Sequence, residues 1–530
     1  MPYLNVQETN SLMELLTLQF PLRCERITLP NESFEGRTSF ALRIRVGPLQ
    51  RRPGVLLIGS VHGNEWGSTD ILMFLAEKLL ETEPGLSFDF GAGISISADP
   101  VFEALAKLDL FIFPVVNPDG KRYSQTEDEG WRKNRAPTPD PEQIGVDVNR
   151  NFDWLWDFRR HYRDPPSGVA VSDDPSGITY HGTAPFSEAE SRNVRFLLTE
   201  FPHIRFFVDV HCFSGLLMLP WGDDDAQTND FKMNFTNPEY DGLRGDLGDT
   251  AYREYMSPGD LDIHQTLVSR MGNGLTAFRG SVYEEGPIGE TMYLVSGTST
   301  DYAFSRHLAQ RRRNKIHSFL IEWGLGDTFH PPFSEMQQII REVSAGLIEL
   351  LTAAADMPLL EKGPDLVLFG NVPLGQSRVR QIVVRNVSNR PVRLSTVTVA
   401  GAGYQLGGVL DTDLAVDDTA TMTVILQPQQ EGSAPGALRF RARHDNGNIA
   451  DRVEVQLQGG SCTAGKGECL APLVAAHSAT ACALIRAQCA LLIAFYSLFG
   501  SGERARCAIA KLRFRMEHCR EGNGDPCIRL

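Results

Sequence analysis

Four runs of nearly continuous apolar residues constrain this chain most: GVLLIG at 54–59, LDLFIFPVV at 108–116, IRFFVDVH at 204–211 and FLIEW at 319–323. A strand with one wet face alternates apolar and polar residues, so runs without alternation belong to strands covered on both faces. Patterns of helical period lie between them, at 68–80 and 187–199. Buried strands separated by helices predict an α/β domain with a largely buried sheet over residues 1–355.

The pattern then changes. The stretch AAADMPLLEKGPD reads as a linker, centred on 356–365. From 366 to 460 the apolar period becomes two: Met422, Val424 and Leu426 form one face, Leu438, Phe440 and Ala442 another, and Val453, Val455 and Leu457 a third. Arg439, Arg441 and Arg443 stand opposite the second face, and His444-Asp445-Asn446-Gly447 supplies a hairpin turn. Such a segment predicts a small all-β sandwich, and it resembles, on pattern alone, the immunoglobulin-like sandwiches.

Residues 461–530 hold seven of the nine cysteines, with nine basic and five acidic residues. An apolar helical run from Leu470 to Phe499, a Gly500-Ser501-Gly502 break and a basic helix to about Cys519 predict a Cys-rich helical hairpin. Cys482 and Cys519 are nearly equidistant from the break, but pairing is not readable from sequence. The absence of any CxxC pair argues against a metal site there. Either appended part offers a surface for a protein partner.

Charge and composition narrow the classes. With 51 basic and 66 acidic side chains the net charge is −15, which argues against nucleic acid as a partner. A hydrophobic share of 42% and a charged share of 22% exclude a disordered or collagen-like chain. Met1 to Phe20 carries Glu8 and Glu14 and no basic stretch before an apolar core, so no signal peptide is expected. The longest uncharged apolar stretch, Ala487 to Gly502, falls short of the ~20 residues of a membrane helix, so no membrane span is expected. On these grounds the cytoplasm is favoured over non-classical export.

One polar cluster follows directly on a buried strand, at Gly59-Ser60-Val61-His62-Gly63-Asn64-Glu65. Open α/β sheets place their sites at such strand ends. His62 and Glu65 are three apart and can aim at one point, and His211 closes another buried strand. Two histidines and one carboxylate, with a fourth position left to water, make the open tetrahedral site of a hydrolytic zinc. Taken singly, each histidine reads more readily as a structural residue, because HxxE is common by chance.

The wider sequence decides between these readings. In order come Asn117-Pro118-Asp119-Gly120, Trp131-Arg132-Lys133-Asn134-Arg135, Gly145-Val146-Asp147-Val148-Asn149-Arg150-Asn151-Phe152, Tyr180-His181-Gly182, Pro185-Phe186-Ser187-Glu188, Met292 to Tyr302 and Phe319-Leu320-Ile321-Glu322. This set resembles the zinc carboxypeptidase family, the metallocarboxypeptidases of carboxypeptidase A/T type (peptidase family M14), over roughly residues 35 to 350. The resemblance implies a mixed central β-sheet flanked by helices, one zinc ion in that domain, and removal of the last residue of peptides with a free C-terminal carboxylate.

Carried over position by position, the resemblance makes His62, Glu65 and His211 the zinc ligands and Asp147 the carboxylate behind the first histidine. Glu322 would be the general base for zinc-activated water, and Arg132 would polarise the scissile carbonyl. Asn149, Arg150 and Tyr293 would clamp the substrate's terminal carboxylate. Thr300 falls where the family has its pocket-floor residue; small and neutral, it argues against a strict preference for basic side chains. The segment with Arg306 and Arg311 to Arg313 would shape the rim of the funnel or form a solvated helix face. The early His62 leaves no room for the family's inhibitory pro-segment before it. Two other readings use the same residues: a cell-wall hydrolase cutting stem-peptide amides, and a catalytically silent binding or adhesion protein.

Overall fold

A computed structural model describes residues 3–47, 52–91, 94–163, 168–310, 313–408, 411–445 and 450–462. The four apolar runs become the centre of one eight-stranded sheet. Its strands are β1 (Cys24–Thr28), β2 (Phe40–Ile44), β3 (Gly54–Gly59), β4 (Asp109–Phe113), β5 (Ile204–Cys212), β6 (Leu216–Leu219), β7 (Glu284–Pro287) and β8 (His317–Trp323). They lie in the order β1-β2-β4-β3-β5-β8-β6-β7. The central four, β4, β3, β5 and β8, run parallel, whereas β1, β2 and β6 add antiparallel pairings, so the sheet is mixed. Every residue of the central four is buried, which is why their sequences do not alternate.

Helices cover the sheet: α1 (Val6–Gln19), α2 (Gly67–Glu81), α3 (Ala98–Lys107), α4 (Pro118–Thr126), α5 (Ala189–Glu200), α6 (Pro258–Arg279), α7 (Ser299–Ala309) and α8 (Phe333–Ala355). The patterns at 68–80 and 187–199 become α2 and α5 within two residues. In α8, Met336, Ile339, Ile340, Val343, Leu347, Leu350 and Leu351 are buried at helical spacing against the sheet and its neighbours. The N-terminal stretch, expected only to lack a leader, is a capped helix: Asn5 accepts from the Glu8 backbone while the Glu8 side chain accepts from that of Asn5. Among the described residues no helix is long and apolar enough to cross a membrane.

The segment expected as a linker is not a loose connection. Met357 and Leu359 are buried in the core of the first 355 residues, and Leu360–Lys362 is a strand paired with residues 384–386. Its Pro, Lys, Gly and Asp content looked like a linker, but two apolar residues at period two were enough to bury it.

Beyond it, two sheets face one another across a second apolar core that holds Phe369, Ile382, Met422, Val424, Leu438, Phe440, Val455 and Leu457. Four strands form one sheet (360–362, 378–386, 419–426, 404–406) and five the other (366–373, 450–462, 432–443, 392–400, 412–414). The three expected apolar faces all point into this core, and Arg439, Arg441 and Arg443 are exposed. Strands 432–443 and 450–462 form the expected hairpin, with Arg443 opposite Ala450. His444, expected in its turn, is instead a buried anchor: its Nε2 lies 3.2 Å from the Met357 carbonyl and its Nδ1 2.8 Å from that of Pro391. The Cys-rich helical hairpin lies outside the described residues.

The two parts meet along a polar seam. Asn389 Nδ2 donates to the carbonyls of Lys107 and Ala355, and the Gln456 side chain bonds the backbone at Asn229 and Phe231. Arg205 pairs with Glu361 at 2.5 Å, and Arg452 pairs with Asp262 at 3.3 Å.

Candidate active site

The cluster at 59–65 leaves β3 at its C-terminal end and is held by backbone contacts from several directions. Gly63 N donates to the Arg132 carbonyl, Asn117 Nδ2 to that of Val61, and Lys121 Nζ to that of Trp66. Gly63 has no substitute here: a Cβ would stand 2.6 Å from the Gly120 carbonyl and 2.7 Å from that of Trp131. Lys121 is fully buried, and burial, opposed by nearby Asp70, pushes its ammonium down to about 8.

His62, Glu65 and His211 converge, each buried, with one donor atom apiece inside a 4.8 Å span. The two Nδ1 atoms are 3.1 Å apart, and the Glu65 oxygens lie 2.6 Å from that of His62 and 2.9 Å from that of His211. The far ring nitrogens face other carboxylates. His62 Nε2 is 3.3 Å from Asp147 Oδ1, and His211 Nε2 is 2.9 Å from Asp209 Oδ2. With both Nε2 atoms turned toward those carboxylates, the two Nδ1 atoms and the Glu65 carboxylate face one point, which suits a divalent cation. Two imidazoles and a carboxylate are a zinc donor set, so the residues present fit that metal.

The charges around this point are strongly shifted. Burial opposes ionisation of Glu65, but His62 and His211 outweigh it and hold the carboxyl well below its ordinary range. Burial likewise opposes Asp147, which Arg132, Arg150 and His62 hold far down. His211 is held well above its usual value by Asp209 and Glu65 despite burial. Glu322 goes the other way: burial, with the Glu65 carboxylate beside it, pushes it up to about 8.

Asp147 ties three expected residues together. It faces His62, accepts from Arg132 Nε at 3.0 Å and accepts from the Asn149 backbone at 3.0 Å. Arg150 is fixed by donations from Nε to the Ala170 carbonyl and from Nη1 to that of Asn149. Gly297 makes room for this strap: its φ is +67°, and a Cβ would stand 2.2 Å from the Arg150 carbonyl.

A cavity of about 370 Å³ brings these groups together. His62, Glu65, His211, Glu322, Arg132, Asn149, Arg150 and Tyr293 all line it. Ile288, Met292, Val295 and Leu320 form its apolar part, and Tyr293 is 38% exposed at its mouth. Among the described residues, Glu65 and Glu322 are the only carboxylates in the lining.

Thr300 does not line the cavity. It is fully buried in α7, where its carbonyl accepts from Ser318 Oγ, and Thr298 occupies the lining instead. Nor do Arg306 and Arg313 line the cavity. Arg306 is buried, donating to the Leu198 carbonyl, and Arg313 bonds Gln310 and Thr199, all toward the far end of α7 from the site. Arg311 and Arg312 lie outside the described residues.

Sequence reasoning missed Asp209 and Lys121. The first was legible in principle, since residues two apart on a strand share a face and the run reads Val-Asp-Val-His. Lys121 gave no signal, because nothing in its neighbours marks it as buried.

Comparison with known proteins bears on the whole of this domain. The family described as "Zinc carboxypeptidase" matches residues 9–346, starting earlier than the motifs do. "Carboxypeptidase A4" of Mus musculus is 28% identical over 293 residues, 55% of this chain and 57% of that one. "Metallocarboxypeptidase A" of Trichophyton tonsurans is 29% identical over 306 residues, 57% of this chain and 60% of that one. The chain thus spans less than two thirds of either relative. The crystal structure of the carboxypeptidase A from Helicoverpa Armigera is alike in fold, with a TM-score of 0.50 at 24% identity, covering 67% of this chain and 74% of that one. With the family match extending over most of the chain, this protein belongs to the zinc carboxypeptidase family.

Proposed function

We propose that this protein is a zinc-dependent carboxypeptidase that removes the C-terminal residue of peptides, with a preference for apolar side chains. The observation that carries the reading is the composition of one cavity: a buried His₂Glu donor set, a buried carboxylate beside it, and Asn149, Arg150 and Tyr293 next to an apolar recess. A guanidinium suits a terminal carboxylate, and an internal amide offers it no anion. The lining of Ile288, Met292, Val295 and Leu320, without an acid at that end, supports an apolar rather than a basic side chain.

Zinc, when bound, supplies a Lewis acid and lowers the pKa of water. Glu322 takes the proton from the attacking water and passes it to the leaving amine, a role that its raised pKa supports. Arg132, held by Asp147, faces the developing oxyanion. Asp147 keeps His62 in the tautomer that leaves Nδ1 free for the metal. In this reading residues 1–355 are the catalytic domain, residues 366–460 an immunoglobulin-like sandwich that offers a surface to a protein partner, and peptides the substrates.

The test is mass spectrometry of a peptide library incubated with the zinc-loaded protein, each peptide made with a free and an amidated C-terminus. Loss of single apolar residues from the free acids alone is expected. Equal cleavage of amidated peptides would overturn the clamp, and no cleavage would overturn the activity. The cell-wall and silent-scaffold readings use the same residues, but the zinc carboxypeptidase family match does not favour them.

A further inference from the structure

Ser299 stands between two parts of the cavity that sequence treats separately. It is the first residue of α7, just after the cap residue Thr298. Its backbone N–H donates to Asn149 Oδ1 at 2.8 Å, and its hydroxyl donates to Asp209 Oδ2 at 2.5 Å. The same Asp209 oxygen lies 2.9 Å from His211 Nε2. Ser299, Asp209, Asn149 and His211 are all at least 97% buried.

Asp209 is costly where it stands. A fully buried carboxylate needs a charged partner and hydrogen bonds. Among the described residues, Ser299 and His211 share one of its oxygens, and the other has no hydrogen-bond partner. Such a group fixes the ring that it faces, and its orientation in turn depends on the second donor. That donor is Ser299, whose other polar group holds Asn149.

We infer that Ser299 and Asp209 are positioning residues that couple the carboxylate clamp to the metal-binding histidine, so that displacing one end loosens the other. The inference rests on the reading of His211 as a zinc ligand and of Asn149 as part of the clamp. Ser299 touches neither metal nor substrate and acts through Asp209 and Asn149.

The experiment uses the zinc-loaded full-length protein and follows release of zinc to excess chelator, together with kcat and KM on a free-acid peptide. Asp209→Asn is expected to speed release about tenfold, the usual cost of losing a carboxylate behind a metal-binding histidine. Ser299→Ala is expected to speed it about threefold and to raise KM by a similar factor. Ser299→Thr, which keeps the hydroxyl, is expected to restore both. The double variant Asp209→Asn/Ser299→Ala is expected to release zinc no faster than Asp209→Asn alone, because the serine acts through the aspartate.

Wild-type zinc retention in Ser299→Ala would overturn the coupling, as would Ala and Thr variants that behave alike or losses that add in the double variant. If Asp209→Asn fails to fold, the Ala and Thr variants decide the matter alone. A wild-type protein that holds no zinc would instead overturn the functional reading, and this inference with it.

Discussion

Glu322 and His211 are register partners on adjacent parallel strands, β8 and β5. The sheet itself therefore sets the distance between the proposed proton acceptor and the proposed metal-binding histidine, at roughly the 4.8 Å spacing of paired strands. No loop has to be ordered to bring them together. Glu322→Gln keeps shape and hydrogen-bonding capacity but removes the base. Turnover is expected to fall about 10²- to 10⁴-fold with zinc content unchanged, checked by steady-state kinetics and metal analysis of one preparation.

Arg150 is pinned through Nε and Nη1 to backbone carbonyls, so its position does not depend on substrate. Arg150→Met is expected to lower kcat/KM on free-acid peptides by about 10- to 100-fold, the worth of a charge-assisted hydrogen bond. Amidated peptides are expected to be poor substrates for both proteins, so the difference between the two should vanish on them.

Thr300 lies outside the cavity lining and Leu320 lies within it. Thr300→Val removes a hydroxyl that has no hydrogen-bond partner, and the ranking of C-terminal residues is expected to stay within about twofold. Leu320→Ala enlarges the apolar recess and is expected to shift the ratio of large to small C-terminal residues by about tenfold. Competition between paired peptides measures both.

Glu190 is buried away from the proposed catalytic groups, with one oxygen accepting from Asn134 and the other without a partner. Burial, with the Glu188 carboxylate beside it, pushes its pKa from 4.5 up to about 7. Between those values the folded chain keeps a proton that the unfolded chain gives up. Stability is therefore lost as pH rises through this window, and the loss is complete above it. Glu190→Gln removes the penalty. Relative to wild type it is expected to be neutral at pH 4 and more stable by up to about 3 kcal/mol at pH 8, as read from denaturant unfolding at both pH values.

What could be read in the sequence was whatever obeys a period or a motif. Strands β3, β4, β5 and β8 announced themselves because double-sided burial abolishes alternation. His62, Glu65 and His211 lay in motif order, and the structure brings their donor atoms together. Long-range partners leave no such trace. Ser299 reaches Asp209 across 90 residues, and Lys121 reaches Trp66 across 55. Thr300 shows the opposite failure: a matching motif position did not say which residue faces the cavity, because neighbours on a helix turn about 100° apart.

The strand at 360–362 belongs to one sheet, while Met357 and Leu359 just before it belong to the other core. A cut made where composition suggests a hinge would therefore strip two plugs from the first core and an edge strand from the second sheet. It would also strand Asn389, whose partners are carbonyls across the seam, and take from His444 its Met357 carbonyl. Anyone trimming this protein to a minimal fragment would do better to treat the seam as masonry than as a joint.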